Sequence, residues 1–256
     1  MEEYCDTSKI LIRRINKNVA KDIIVKNHYS HKWTLCRVAY GIFYKTEKSN
    51  SFFEGNEEKL IGCLIYAQPV GRSAASSLSP LITIDQVFEL VRLFIHDGFG
   101  RNVESYCISK SFKCLNTDFP HIKAVLSYAD AEQGHRGIIY QACGFHYQGR
   151  SSLALMPNFS ISLSPPPNYE WIHSRTVTSR WNSCNVEHLK GAIGKTFWRM
   201  KESTKHRYII FIGNKVEKRK LLKSLKHPVL PYPKQSSHVV EIEEIPVENK
   251  MVETFF

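Results

Sequence analysis

No CxxC pair occurs among the seven cysteines (Cys5, Cys36, Cys63, Cys107, Cys114, Cys143 and Cys184), and their number is odd. A zinc ribbon is excluded for want of ligand spacing. With no secretory order of residues, reduced thiols in a cytoplasm are expected rather than a disulfide framework. The opening "MEEYCDTSKI" is acidic and lacks the charged-then-apolar succession of a signal peptide. No apolar run approaches the ~18 residues that span a bilayer, so a cytoplasmic location and no membrane partner are expected. Internal repeats are absent too. What remains is an ordinary globular balance: 256 residues, 43% hydrophobic, with a mean hydropathy of -0.29. That length can bury a core as one domain, or as one domain with an appendage.

Acids are scarce in one segment. Residues 171–238 hold 15 Lys/Arg against 3 Asp/Glu, a net +12, within a chain of net +11. Residues 239–256 reverse the sign, with 5 acids and one Lys. A cationic concentration of this kind is the electrostatic footprint of a polyanion partner, because each phosphate contact releases counterions. The bland alternative is a solvated basic surface. Trp171, Trp181, Trp198, Tyr208, Phe211 and Tyr232 are interleaved with the charges. They favour nucleic acid over a membrane surface, since bases stack on aromatic faces.

The apolar pattern predicts strands over 8–15, 37–45, 59–69, 87–97, 122–130 and 145–155. Helices are expected over 18–30, with Asn18 as a possible N-cap, and over 102–115 and 136–143. The stretch between 45 and 59 reads as a long hairpin loop, and 71–80 as a small, flexible segment. Two strand–helix–strand steps in a row argue for an α/β sheet with helices packed on it. The triple proline of "SPPPN" (164–168) reads as a boundary. The expected organisation is a first α/β domain over 1–163, a basic α/β extension over 164–238 that contacts nucleic acid, and a mobile acidic tail over 239–256. Within the extension, "VEHLKGAIG" and "KVEKRKLLKSLK" look helical, with "RYIIFIG" a strand between them.

Several residues fall where chemistry could use them. Asp130 ends a predicted strand, where it could accept an amine proton, hold a metal or simply cap the next helix. Tyr140 could protonate a leaving group or hydrogen-bond a phosphate, or be a core tyrosine with a satisfied hydroxyl. His28 and Tyr29 begin a dense run of polar aromatics that continues through His31 and Trp33. Arg92 lies inside an apolar strand and requires a partner there, either an anionic ligand or a buried carboxylate. In "DGFGRN" (97–102), Gly98 and Gly100 permit close backbone approach and precede a helix N-terminus with free amides, beside Asn102. Ser105 lies in the first helical turn, where its hydroxyl could reach an anion.

The order of strands and helices, closing on "YQACGF", resembles the GNAT acyltransferase fold. That resemblance implies a mixed, mainly antiparallel central sheet flanked by helices. It also implies two strands that splay so that donor and acceptor meet in the gap. The loop at 97–102 departs from the usual GNAT pattern of an Arg or Gln followed by two spaced glycines. A narrower resemblance, to the Mom family of phage DNA-modification proteins, is carried by "NHYSHKW" (27–33), "YGIF" (40–43), "IGCLIYAQPVG" (61–71) and "ELVRLFI" (89–95). It continues through "GRNVESYCISKSF" (100–112), "SYADAEQGHRGIIYQACGF" (127–145), "HRYIIFIG" (206–213) and "HPVLPYPK" (227–234). It implies a transferase that converts adenine in double-stranded DNA to an N6-carbamoylmethyl form and so protects phage DNA from host restriction, in the cytoplasm of a bacterial host. It further implies that His28, Tyr29, Asp130 and Tyr140 converge, with iron as a candidate metal. Arg92 and Ser105 would then bind the donor, an acyl-CoA or another activated molecule. Trp33, His135, Arg136, Lys195, Arg199 and Arg207 are the candidate DNA contacts, and a second copy of the chain is an optional partner. Two other readings stay open: a GNAT-like acyltransferase with a different acceptor, and a nucleic-acid-binding protein without catalysis.

Overall fold

The structure is a computed structural model that describes residues 4–46, 57–70, 73–131, 134–150, 158–202, 204–234 and 242–247. The first elements are β1 (Ile10–Arg14), α1 (Lys17–Asn27), β2 (Val38–Thr46), β3 (Glu57–Ala67), β4 (Val87–Ile95), α2 (Val103–Asp118), β5 (Ala124–Ala129), α3 (Ile138–Ala142) and β6 (His146–Arg150). They are followed by β7 (Phe159–Ser162), β8 (Trp171–Ile172), α4 (Ser174–Trp181), α5 (Val186–Ile193) and β9 (Phe197–Lys201). The last are β10 (His206–Phe211), α6 (Lys215–Lys223) and β11 (Ile242–Ile245). The helix predicted at 18–30 is α1, but its N-cap is Asn16, whose side chain accepts from the Asn18 amide at 2.8 Å. The expected hairpin loop falls largely at 47–56, outside the described residues, as do 71–72 of the predicted flexible segment.

Two compact units interleave along the chain. The larger comprises Met1–Ala129, His135–Gly149 and His206–Lys234, and the smaller Asp130–Gly134, Arg150–Lys205 and Gln235–Phe256. The larger holds a seven-stranded sheet in the order β1-β2-β3-β4-β5-β10-β6. All its recorded pairings are antiparallel except β4 with β5. This is the mixed, mainly antiparallel, helix-flanked sheet that the pattern implies.

The packing of the larger sheet follows from alternation along β4. Phe88, Leu90 and Leu93 join Val103, Cys107 and Ile108 of α2 in one core cluster. Val87 faces the opposite way and packs with Leu221 of α6, while Val91 and Phe94 pack with Ala20 and Ile24 of α1. Hence α2 and α3 cover one face and α1 and α6 the other. Each fully buried Leu or Ile in these seams contributes about 1.5–3 kcal/mol.

Strand β10 comes from the stretch expected to form a separate extension after residue 163, yet it lies between β5 and β6. Tyr208 and Ile209 are fully buried on opposite faces of the sheet, so this strand belongs inside the core. The expected succession of domain, extension and tail thus differs from the packing. The smaller unit has a four-stranded sheet, β11-β9-β7-β8, with α4 and α5 packed on it through Val177 and Leu189. Part of the tail expected to be mobile is β11, which pairs with β9 and buries Ile245. Residues 248–256 lie outside the described residues. Among the described residues no helix is long and apolar enough to cross a membrane.

Candidate functional site

Strands β4 and β5 pair in parallel through Val87↔Ala124, Phe88↔Val125 and Glu89↔Leu126 only. Beyond Glu89, β4 carries an extra residue against β3: Tyr66 pairs with Leu90 but Ile65 pairs with Arg92, leaving Val91 unmatched. Such a bulge bends its strand. The pairing of β4 with β5 stops just before it. Across the opening, the buried Ser127 hydroxyl on β5 donates to the Leu90 carbonyl at 3.2 Å.

Tyr140 projects from α3 to this place. Its phenol is hydrogen-bonded with Ser127, and burial pushes its pKa up to about 12, with Tyr29 and Glu89 near enough to raise it further. The hydroxyl therefore stays protonated at neutral pH and is a proton donor. The short helix that carries it is pinned from β10. Tyr208 donates to the Arg136 carbonyl, and the Gln141 amide donates to both the Tyr208 hydroxyl and that carbonyl, at 3.0 Å each. Gly137, at φ 71°, caps α3, and a Cβ there would meet the Tyr208 ring at 2.4 Å.

His28 caps the C-terminus of α1 and is only 6% exposed, while Tyr29 beside it is 57% exposed. The His28 and Tyr29 rings lie 4.2 Å apart, and Tyr29 meets His135 edge-on at 5.4 Å. Burial, then the charge of Arg92, lowers the His28 pKa to about 4. The Ser30 amide donates to His28 Nδ1 at 3.1 Å. An acceptor at Nδ1 leaves the proton of the neutral ring on Nε2. His28 thus offers an N–H donor at Nε2.

A stability consequence follows. The unfolded imidazole binds a proton near its ordinary 6.5, whereas the folded ring stays neutral to about 4. The contribution is complete above pH 6.5 and is lost as pH falls toward 4, by up to roughly 3 kcal/mol. Urea unfolding at pH 7.5 and 4.5 should show His28→Asn losing less stability on acidification than the wild type. Equal losses would refute it.

Arg92 is half-buried. Its Nη1 donates to the Val91 carbonyl at 2.7 Å, and its buried Nε has no hydrogen-bond partner among the described residues. Nor does it form an ion pair there, so the buried-salt-bridge alternative is not met. An unmet donor on a guanidinium is a seat for an acceptor or anion.

At the α2 N-terminus, Gly98 and Gly100 take φ of 93° and 85°, and Asn102 itself is left-handed with no side-chain cap. The first-turn amides are accordingly left without a capping side chain. They lie beside a cleft of about 440 Å³ whose lining includes Arg101, Asn102, Ser105, Ser109 and Ala142. Ser105 departs from expectation in part, because its hydroxyl donates to the Asn102 carbonyl at 3.0 Å. Glu104 in the same turn opposes an anion. On balance the glycines, the amides and Arg101 fit an anionic donor.

The remaining expected residues have the following surroundings. Asp130 follows β5 directly, belongs to the smaller unit and is ion-paired with Lys205 at 3.5 Å. Trp33 packs into the α1 core. Arg136 donates to the Lys234 carbonyl at 2.6 Å. Arg199 is ion-paired with Glu243 and lies over the Phe159 ring, whereas Lys195 is exposed. The Arg207 Nη2 donates to Ser77 at 2.9 Å. Tyr208 and Phe211, expected among base-stacking aromatics, are buried. Among the described residues no group of three or more His, Cys, Asp or Glu could hold a metal ion. The iron expectation therefore finds no support among the described side chains. Sequence reasoning missed Glu89, Ser127 and Tyr208. Only the polar interruption of an apolar strand pointed to the first two, and nothing local pointed to the third.

Comparison with known proteins matches residues 9–234 to the Mom protein family. A curated relative, the methylcarbamoylase mom of Escherichia phage Mu, is 26% identical over 239 residues, covering 89% of this chain and 85% of the relative. Among solved structures, the spermidine/spermine N-acetyltransferase SpeG from Vibrio cholerae aligns with a TM-score of 0.41 at 10% identity. The alignment covers 85% of this chain and 98% of that one. Arabidopsis thaliana NAA60, solved with a bisubstrate analogue, aligns at 0.39 and 11% identity over 80% and 99% of the two chains.

Proposed function

Because this chain belongs to the Mom protein family, we propose that it is a transferase acting on adenine in double-stranded DNA, placing a carbamoylmethyl group on N6. The observation that carries the reading is the family match over 9–234, which spans β4, β5, α3 and the end of α1. The adenine N6 amine is a weak nucleophile, because its lone pair is delocalised into the ring, and it is shielded inside the duplex. The base must therefore leave the stack and be held in place. Exposed Tyr29, edge-on to His135, offers a stacking surface.

The new bond joins N6 to the methylene carbon of the donor group. The bond from that carbon to its carrier breaks, and N6 gives up one proton. Tyr140, protonated and buried, is assigned to the departing carrier, and Asp130, the next residue after β5, to the proton from N6. His28 Nε2–H and Arg92 Nε are donors suited to polar atoms of the transferred group or its carrier. An acyl-CoA attacked at its thioester carbonyl would give an amide instead, so the electrophile would come from an activated donor on a phosphate-bearing carrier whose leaving group sits on that methylene carbon. Arg101, Asn102 and the α2 amides are the groups suited to its phosphates.

Nucleoside mass spectrometry on plasmid DNA from bacteria expressing the protein tests this. The expected result is a new adenine-derived species of carbamoylmethyl mass. DNA left unmodified while RNA or protein gains mass would overturn the reading in favour of another acceptor.

A further inference from the structure

The chain's large positive charge is not equally available to a partner. In the smaller unit Lys190 is paired with Glu187, Arg199 with Glu243 and Lys205 with Asp130. The exposed Arg175, Arg180, Lys195 and Lys201, without an ion pair among the described residues, are spread over α4, the loop before β9 and β9 itself. On α6 the situation differs. Lys215, Lys218, Arg219, Lys220 and Lys223 are all exposed, and none forms an ion pair among the described residues. The helix's one acid, Glu217, is engaged by Lys123 at 3.0 Å.

Geometry orders these charges. Leu221 is buried against β10 and β4, so the outward direction of α6 is set. Lys215, Arg219 and Lys223, at i, i+4 and i+8, fall on that outward stripe, with Lys218 and Lys220 flanking it. The stripe spans about 12 Å, comparable with the width of the major groove. A merely solvated helix face usually alternates its charge signs, which supports the helix, whereas like charges at i, i+4 oppose it.

The face of the sheet adds a second observation. Helix α1, on the same face, presents Lys17, Lys21 and Lys26 against Asp22, whereas α2 on the opposite face balances Lys110 and Lys113 with Glu104 and Asp118. Lys110 is moreover tied to the Ile10 carbonyl, and Asp118 accepts from Tyr40. The cleft by Arg101 and Asn102, assigned above to the donor, is lined by residues of α2 and α3 and so belongs to that balanced side.

We propose that the outward stripe of α6 is the main phosphate-backbone contact for duplex DNA, which docks on the α1/α6 face while the donor occupies the α2/α3 face. This rests on the reading that duplex DNA is the acceptor. The binding is sequence-independent, positioning the duplex rather than reading bases.

The test measures duplex DNA affinity of the full chain against salt concentration. Neutralising Lys215→Gln, Arg219→Gln and Lys223→Gln together should reduce the slope of log K against log salt by about 2–3 and weaken binding at least about tenfold near 0.15 M salt. The charge-keeping pair Lys215→Arg and Lys223→Arg should retain the wild-type slope. A matched triple in the smaller unit, Arg175→Gln, Arg180→Gln and Lys201→Gln, should move it by less than about 1. A wild-type slope in the α6 triple, or an equal loss in the control triple, overturns the assignment even where the wild type modifies DNA. Tighter binding of duplex RNA with the same slope overturns the choice of DNA. A wild type that neither binds nor modifies DNA refutes the function reading, and this inference falls with it.

Discussion

Replacing Tyr140 with Phe should lower adenine modification by about 10²–10⁴-fold, the range lost when a positioned proton donor is removed. The ring's packing against Phe145 and Tyr208 survives the substitution, since both contacts are between ring faces and edges. The Ser127 hydroxyl keeps its acceptor at Leu90, so one hydrogen bond is lost and no buried donor is stranded. A stability cost of about 1 kcal/mol follows, visible as a small shift in melting temperature. Turnover and thermal unfolding of the same preparation separate the two effects. Modification within a few-fold of wild type would make Tyr140 a core tyrosine whose hydroxyl serves packing alone.

The largest effect on the fold outside the chemistry is expected at Gly137. A left-handed backbone costs a residue with a Cβ about 1–2 kcal/mol, and overpacking a built core adds about 1–3 kcal/mol. Both apply here, because φ is 71° and the added carbon would sit 2.4 Å from the Tyr208 ring. Gly137→Ala should therefore destabilise the protein by about 2–5 kcal/mol by chemical denaturation. Modification should fall as well, since Tyr140 lies three residues on. Combining it with Tyr208→Leu, which removes the ring, should recover part of the loss, giving a coupling of at least about 1 kcal/mol. Strict additivity of the two changes would mean that the ring and the glycine do not meet.

Much of this molecule was legible in one dimension. Alternating and continuous apolar runs marked β1 to β6, and the α2 and α3 periods were readable because local pattern and final burial agree there. The basic run at 215–223 was equally plain as a helix. Residues that act through their neighbours were less visible. Glu89 and Ser127 gain meaning only where β4 and β5 part, and the bulge at Val91 follows from a register with β3 that no local pattern contains. The tautomer of His28 depends on the Ser30 amide, a backbone group.

By itself, the sequence determined the strand–helix order, the glycines of the α2 loop, the family blocks and the excess of positive charge. These depend on composition and short-range periodicity. Tertiary structure alone decided that a strand from residues 206–211 lies beside β5 and pins the Tyr140 helix, and which cations remain unpaired. Both are outcomes of long-range pairing, where residues some seventy positions apart, such as Arg136 and Tyr208, come within hydrogen-bonding distance. A strand's neighbours are chosen by burial of its whole face, a collective property that no window of adjacent residues carries.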